Sequence, residues 1–209
     1  MTGRAWRYHP TLNRLECSGE RYQASAVDDG SPACIHRCEK GTFWDDEVER
    51  MRHAITLARL QAITAASTIR QLLDVRDSEA VPGEFGYPGT LIEIWEWADI
   101  SLDDFLDEPD ENPAEVADSV HENIGAALDV LHEAGIVHLD VTPNNILRVG
   151  GRWKLADLDS CVPRGELAVR RPISDRYVHP DRHGGTALPA RDEFDSYGVE
   201  RILTDLRFR

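Results

Sequence analysis

Lysine is almost missing from this chain, which carries only Lys40 and Lys154. That usage by itself says nothing of function. Arginine and lysine together number 23 against 38 acidic residues, for a net charge of -15. A surface with that balance repels phosphate backbones, which argues against nucleic-acid binding by charge neutralisation. It equally disfavours an anionic membrane surface. Long apolar runs are absent too, and none approaches the roughly 20 residues that a helix needs to cross a bilayer. Residues 1–14 lack the apolar stretch of a secretory signal. The four cysteines, Cys17, Cys34, Cys38 and Cys161, are too few and too scattered for a disulfide scaffold. No repeat and no long low-complexity segment stands out. These absences lead to the expectation of a reduced, soluble, cytoplasmic protein that binds neither nucleic acid nor membrane.

What remains is ordinary globular material. Of the 209 residues, 41% are hydrophobic, enough to build a core for one medium domain or two small lobes. Residues 12–40 read as short strands. Asp28-Asp29-Gly30-Ser31 makes a turn between Tyr22-Gln23-Ala24 and Ala33-Cys34-Ile35. Residues 45–62 read as a helix, with Val48, Met51, Ile55, Ala58 and Ala62 on one face. Residues 68–97 read as strands. Asn112-Pro113 predicts a helix start, and Val116, Val120, Ile124, Ala127, Leu128 and Leu131 carry that helix over 114–134. Gly135 is a natural stop. Ile146 to Val149 and Trp153 to Ala156 flank Gly150-Gly151 as a hairpin. Residues 158–191 look irregular, and 192–207 helical.

Chemistry concentrates around that hairpin. His138-Leu139-Asp140-Val141-Thr142-Pro143-Asn144-Asn145 precedes it, and Asp157-Leu158-Asp159 follows it. An acid is thus followed by an amide five residues on and a second acid twelve residues later. Phosphoryl transfer needs such a set, with one group to orient the attacking hydroxyl and two oxygen ligands for magnesium on the phosphates. The segment resembles the catalytic loop H-R-D-L-x-x-x-N and the metal loop D-F-G of a protein kinase. Other fragments fall in the same order: Ser101-Leu102-Asp103-Asp104-Phe105-Leu106 after the hinge, Leu131-His132 before the catalytic loop, Arg176-Tyr177-Val178-His179-Pro180-Asp181 like Y-x-A-P-E, and Asp195-Ser196-Tyr197-Gly198-Val199 like D-x-W-S-x-G-V with its acid displaced.

The resemblance implies an α+β, bilobal protein kinase-like fold. A small antiparallel-sheet N-lobe with one helix spans 1–97, and a truncated, mainly helical C-lobe spans 98–209. It implies ATP and Mg²⁺ as cofactors and a protein or small-molecule phospho-acceptor as partner. Asp140 takes the role of orienting the acceptor hydroxyl, with Thr142 beside the transferred phosphate. Asn145 and Asp157 are the metal ligands. Nucleotide-binding positions fall on Gly19, Cys34, His36, Glu47, Glu96, Ala98, Asn145 and Asp157. His138 is expected to be structural. Asp159 stands where D-F-G has glycine, either as a second acid near the metal or in solvent.

The departures are specific. Leu139 replaces the arginine that pairs with a phosphorylated activation segment, so that switch loses its charge partner. Thr142 replaces the lysine of Ser/Thr-directed kinases. His36 stands where the phosphate-gripping lysine belongs. Arg14 and Glu16 occupy two positions of the glycine loop, leaving Gly19, although glycine lets backbone N–H groups approach phosphates closely. Loss of the lysine charge removes a contact of about 2–4 kcal/mol. Arg37 points to the other face of the strand, and Lys40 lies roughly 13 Å further along it. Glu47 is the best-placed carboxylate partner for His36, with Glu49 second. Cys34, His36 and Cys38 alternate on one strand face, a weak zinc pattern lacking a fourth ligand. Trp95 and Trp97 flank Glu96 at the adenine position, where core packing explains them equally well. The chain ends at Arg209, so Phe194, Tyr197, Ile202, Leu203, Leu206 and Phe208 are expected to lack part of their cover, which implies either a minimal fold or a partner or self-association over that surface. Asp181 is expected to lack the arginine partner usual in the resembled family.

Three functions follow from these readings. The first is an active Ser/Thr-type phosphotransferase. The second is a pseudokinase, a binding or scaffold module with weak or no catalysis. The third is a small-molecule kinase of the aminoglycoside phosphotransferase type.

Overall fold

The computed structural model describes residues 6–12, 20–39, 68–77, 90–168, 176–185 and 187–208, and for some strand residues, His36 among them, the backbone alone. The expected helix at 45–62 lies outside the described residues, as do Gly19 and Glu47. The fold is mixed α+β, with small antiparallel sheets and three α-helices among the described residues. The chain divides into two compact units, one made of residues 1–65 and 70–98, the other of 66–69 and 99–209.

The first unit holds a five-stranded antiparallel sheet in the order β1-β2-β3-β5-β4, from β1 (Trp6–Leu12), β2 (Glu20–Ala26), β3 (Pro32–Glu39), β4 (Leu72–Asp77) and β5 (Thr90–Glu96). The turn chemistry at 27–31 closes the β2–β3 hairpin. Gly30 takes φ +72°, and Asp29 Oδ1 accepts from the Ser31 backbone N–H at 2.9 Å. A left-handed residue at that corner is where glycine is favoured. Ala26, Ala33, Cys34, Ile94 and Ala98 are buried in this unit.

The second unit is built around two helices. Short strand β6 (Ile100–Ser101) runs into α1 (Leu102–Asp107), whose N-cap Ser101 accepts from the Asp104 N–H at 3.1 Å. Helix α2 (Pro113–Glu133) starts as its sequence demands, with Asn112 Oδ1 capping the Ala114 N–H at 3.1 Å and proline in the first turn. All six of its periodic apolar residues are buried. Gly135, at φ +73°, ends it. Strand β7 (Ile136–Val137) leads to the loop at 138–145. Strands β8 (Ile146–Val149) and β9 (Arg152–Leu155) then form the hairpin, with Gly150 and Gly151 at φ +56° and +79°. Two positive φ values in a two-residue loop define the type I′ turn, matched to strand twist. β6 pairs with β8, completing a three-stranded sheet. The chain at Thr68 and Ile69 joins this unit, with Leu155 N–H donating to Thr68 O at 3.0 Å.

Two-residue pairs organise the irregular stretch: β10 (Val162–Pro163) with β7, and β11 (Leu167–Ala168) with β12 (Leu188–Pro189). Helix α3 (Asp192–Arg207) packs against α2. No helix among the described residues is long and apolar enough to cross a membrane.

One expectation about α3 needs correction. Phe194, Ile202, Leu203 and Leu206 are at most 8% exposed, and Tyr197 is half-buried. Val137, Leu139, Ala168 and Ala190 cover Phe194, so the helix offers no apolar stripe that calls for a covering partner. Phe208 alone of the six is exposed. Asp181 pairs instead with Arg191, whose Nη2 reaches its Oδ2 at 2.9 Å. Just ahead of α3, Arg191 folds back to a residue ten positions earlier, a proximity no periodicity reports.

Candidate functional site

The loop after β7 is locally driven. Pro143 sits at the start of a 3-10 turn, Pro143–Asn145, where its fixed φ and missing N–H are tolerated. Thr142 precedes it in extended backbone, and the Asn145 N–H closes the turn on Thr142 O at 3.0 Å. The turn swings the Asn145 side chain back toward Asp140. Its Nδ2 donates to both the backbone oxygen and Oδ2 of Asp140, at 2.9 Å each. With both amide protons so used, Oδ1 is the oxygen left to face a cation.

The hairpin leads into the second acid, and the residue before it is bonded to the first loop. Ala156 N–H donates to Asn145 O at 2.8 Å, and Ala156 O lies 3.0 Å from His138 Nε2. The other ring nitrogen of His138 accepts from the Asp140 N–H at 3.3 Å, so Nε2 carries the proton and donates to Ala156. Fully buried, His138 therefore cross-links the 138–145 loop to the residue before Asp157. Asp157 itself is left-handed, φ +56° and ψ +70°, at the entry to a 3-10 turn over Leu158–Ser160. A non-glycine residue held there is strained, by about 1–3 kcal/mol. Asp140, Asn145 and Asp157 thus belong to one unit. Asp140 and Asn145 are in contact, and Asp157 lies one residue beyond the clamp. Asp159 lies in the 3-10 turn.

Two residues that sequence reasoning left out of the site hold this loop from a distance. Asp195 of α3 is fully buried. Its Oδ2 accepts from the His138 N–H and its Oδ1 from the Leu139 N–H, each at 2.8 Å. His132 Nε2 lies 2.9 Å from the same Oδ2. That hydrogen bond raises the His132 pKa, against the opposing effect of burial, and the negative charges of Asp195 and Asp192 add to it. Arg182, also buried, donates from Nη1 to Leu139 O at 2.7 Å and stacks 5.7 Å from the Phe194 ring centroid. Burial lowers its pKa, while Asp140 and Asp195 pull it back up. The one signal for Asp195 was the displaced acid of the Asp195–Gly198 run. For Arg182 there was none beyond an uncharged Leu139. Further along, Asp205 receives Arg176 Nη2 at 2.5 Å and the Tyr177 hydroxyl at 2.9 Å. Burial and then that bond push the Tyr177 pKa up to about 12.

The remaining candidates lie in the first unit. Cys34 is buried in β3 opposite Trp95, and the register sets His36 across from Glu93. Trp95 Nε1 donates to Glu93 Oε2 at 3.1 Å, so this tryptophan has a polar anchor as well as a packing role. Glu96 is tied up: its N–H bonds Gln71 O at 3.0 Å, its carbonyl accepts Arg70 Nε at 2.9 Å, and its carboxylate accepts the Gln71 N–H at 2.9 Å. Ala98 is fully buried. Among the described residues no group of three His, Cys, Asp or Glu side chains could hold a metal, and the His36 and Cys38 side chains lie outside that description. No protein-family model matches this chain, and no curated protein sequence matches it.

Proposed function

We propose that the chain is an ATP-dependent phosphotransferase resembling a Ser/Thr protein kinase. The observation that carries this reading is the pair of hydrogen bonds from Asn145 Nδ2 to Asp140, which aims the amide oxygen away from the acid. The donor set fits magnesium, which prefers carboxylate and amide oxygens and keeps phosphates and water as its other ligands. Asn145 Oδ1 and the Asp157 carboxylate would hold the ion, which when bound neutralises charge on the phosphates of ATP. Asp140 accepts the hydrogen bond of the acceptor hydroxyl and directs its lone pair at the γ-phosphorus. The Asn145 amide keeps the Asp140 carboxylate in one rotamer, so less motion has to be frozen when the acceptor binds. His138 and Ala156 keep the two loops in register.

A second reading, a nucleotide-holding scaffold with weak or no transfer, is favoured by His36 in the lysine position and by the engaged backbone groups of Glu96. Purified protein with labelled ATP and magnesium separates the two. Transfer that disappears in both Asp140→Ala and Asp157→Ala supports the phosphotransferase. Mg-ATP that raises the melting temperature without any transfer of label supports the scaffold.

A further inference from the structure

Leu139 adopts φ +69°, a left-handed backbone that a leucine enters only under constraint. Its side chain is 5% exposed and packs with Val137, Ala168, Ala190 and Phe194. Both of its polar ends are gripped by buried charged groups from elsewhere in the chain. Asp195 holds the N–H at 2.8 Å, and Arg182 holds the C=O at 2.7 Å. That carbonyl shares a peptide plane with the Asp140 N–H, which rests on His138 Nδ1 at a long 3.3 Å. The plane leading into Asp140 is therefore fixed chiefly by the guanidinium. Arg182 is 5% exposed and lies against the Phe194 ring, which excludes it as a phosphate contact.

We propose that Arg182 is a positioning residue that sets the peptide plane of Asp140 and thereby the direction of its carboxylate. The inference deepens the phosphotransferase reading and rests on it for its catalytic consequence. Arg182 sits in the 3-10 turn over Pro180–Gly185, directly after Asp181, and its own N–H bonds His179 O at 2.9 Å. The cation that steadies the acid thus comes from the downstream segment, while the loop position beside the acid is a neutral leucine. A displacement of 178–185 reaches the peptide plane of Asp140 through the Arg182–Leu139 hydrogen bond, with no phosphorylation required.

The test compares wild type, Arg182→Met and Arg182→Lys by two readouts. The first is the Asp140 backbone amide, followed by NMR and hydrogen exchange on the full chain. In Arg182→Met its resonance shifts and its protection falls, while amides of α2 stay in place; Arg182→Lys returns it most of the way. The second is Mg-ATP turnover to ADP. In Arg182→Met kcat falls on the order of tenfold to a hundredfold, the scale of a small misplacement, with KM for ATP little changed. Arg182→Lys recovers most of that loss. An Asp140 amide unchanged in Arg182→Met overturns the proposal. So does equal loss in the lysine and methionine variants, or a shift spread evenly over α2, either of which marks a purely structural arginine. Wild type inert toward ATP sinks the phosphotransferase reading and the catalytic half of this one; the amide readout then decides the positioning half alone.

Discussion

Asp195→Asn retains the shape of a fully buried side chain and removes its charge. Three donors converge on the two carboxylate oxygens: the His138 N–H, the Leu139 N–H and the His132 ring. An asparagine can offer an oxygen at only one of the two sites. In either orientation its own amide faces a buried N–H, leaving a donor unsatisfied at about 1–3 kcal/mol. The bonds that survive change from charge-assisted to neutral, a further loss of about 1 kcal/mol each. The sum, about 3–5 kcal/mol, matches the range for breaking one side of a buried ion pair. It is also a large part of a typical domain's total stability.

Urea unfolding of wild type and variant measures the difference, once below pH 6.5 and once well above it. The sign of the pH effect follows from His132, whose folded pKa is raised above its unfolded value of 6.5. A raised pKa contributes stability that is fully present below 6.5 and is lost as pH climbs through the folded value. Asp195 is the largest cause of that rise, so the gap between wild type and Asp195→Asn narrows at alkaline pH. A variant within about 1 kcal/mol of wild type in acid would refute the bond count. A gap that stays constant or widens with pH would refute the coupling to His132.

Two further outcomes are expected. A Cβ at Gly198 would meet Val141 O at 2.6 Å and Val141 Cβ at 3.0 Å, so Gly198→Ala pushes α3 off the residue next to Asp140. The variant should lose about 1–3 kcal/mol to overpacking, although alanine in an unhindered helix stabilises; a more stable Gly198→Ala in urea shows that the approach is not tight. His36→Lys should raise labelled-phosphate transfer about thirtyfold or more, the lower end of the ~2–4 kcal/mol that a restored phosphate contact supplies. No gain in that assay means that the histidine does not limit the chemistry.

Each local feature of the second unit was readable because its cause is local. The Asn112-Pro113 start, the Gly135 stop, the apolar stripe from Val116 to Leu131 and the Gly150-Gly151 turn all act through hydrogen bonds and φ preferences spanning a few residues. The Asp140–Asn145 contact has the same character, since five residues and one proline turn bring the two side chains together. The expected lack of cover on α3 failed for the opposite reason. Its apolar face is closed by residues from β7, β11 and the 139–141 loop, which a scan along the chain sees as separate short segments.

By itself the amino-acid sequence determined which short stretches turn, cap or coil and which residues are candidates for chemistry, because those properties belong to each residue and its near neighbours. Tertiary structure alone decided what holds the acid in place. Asp195 and Arg182 stand 56 and 43 residues from Leu139. A carboxylate and a guanidinium are common surface groups whose partners no local pattern names. Only packing that strips them of water makes their bonds to one strained peptide strong enough to matter.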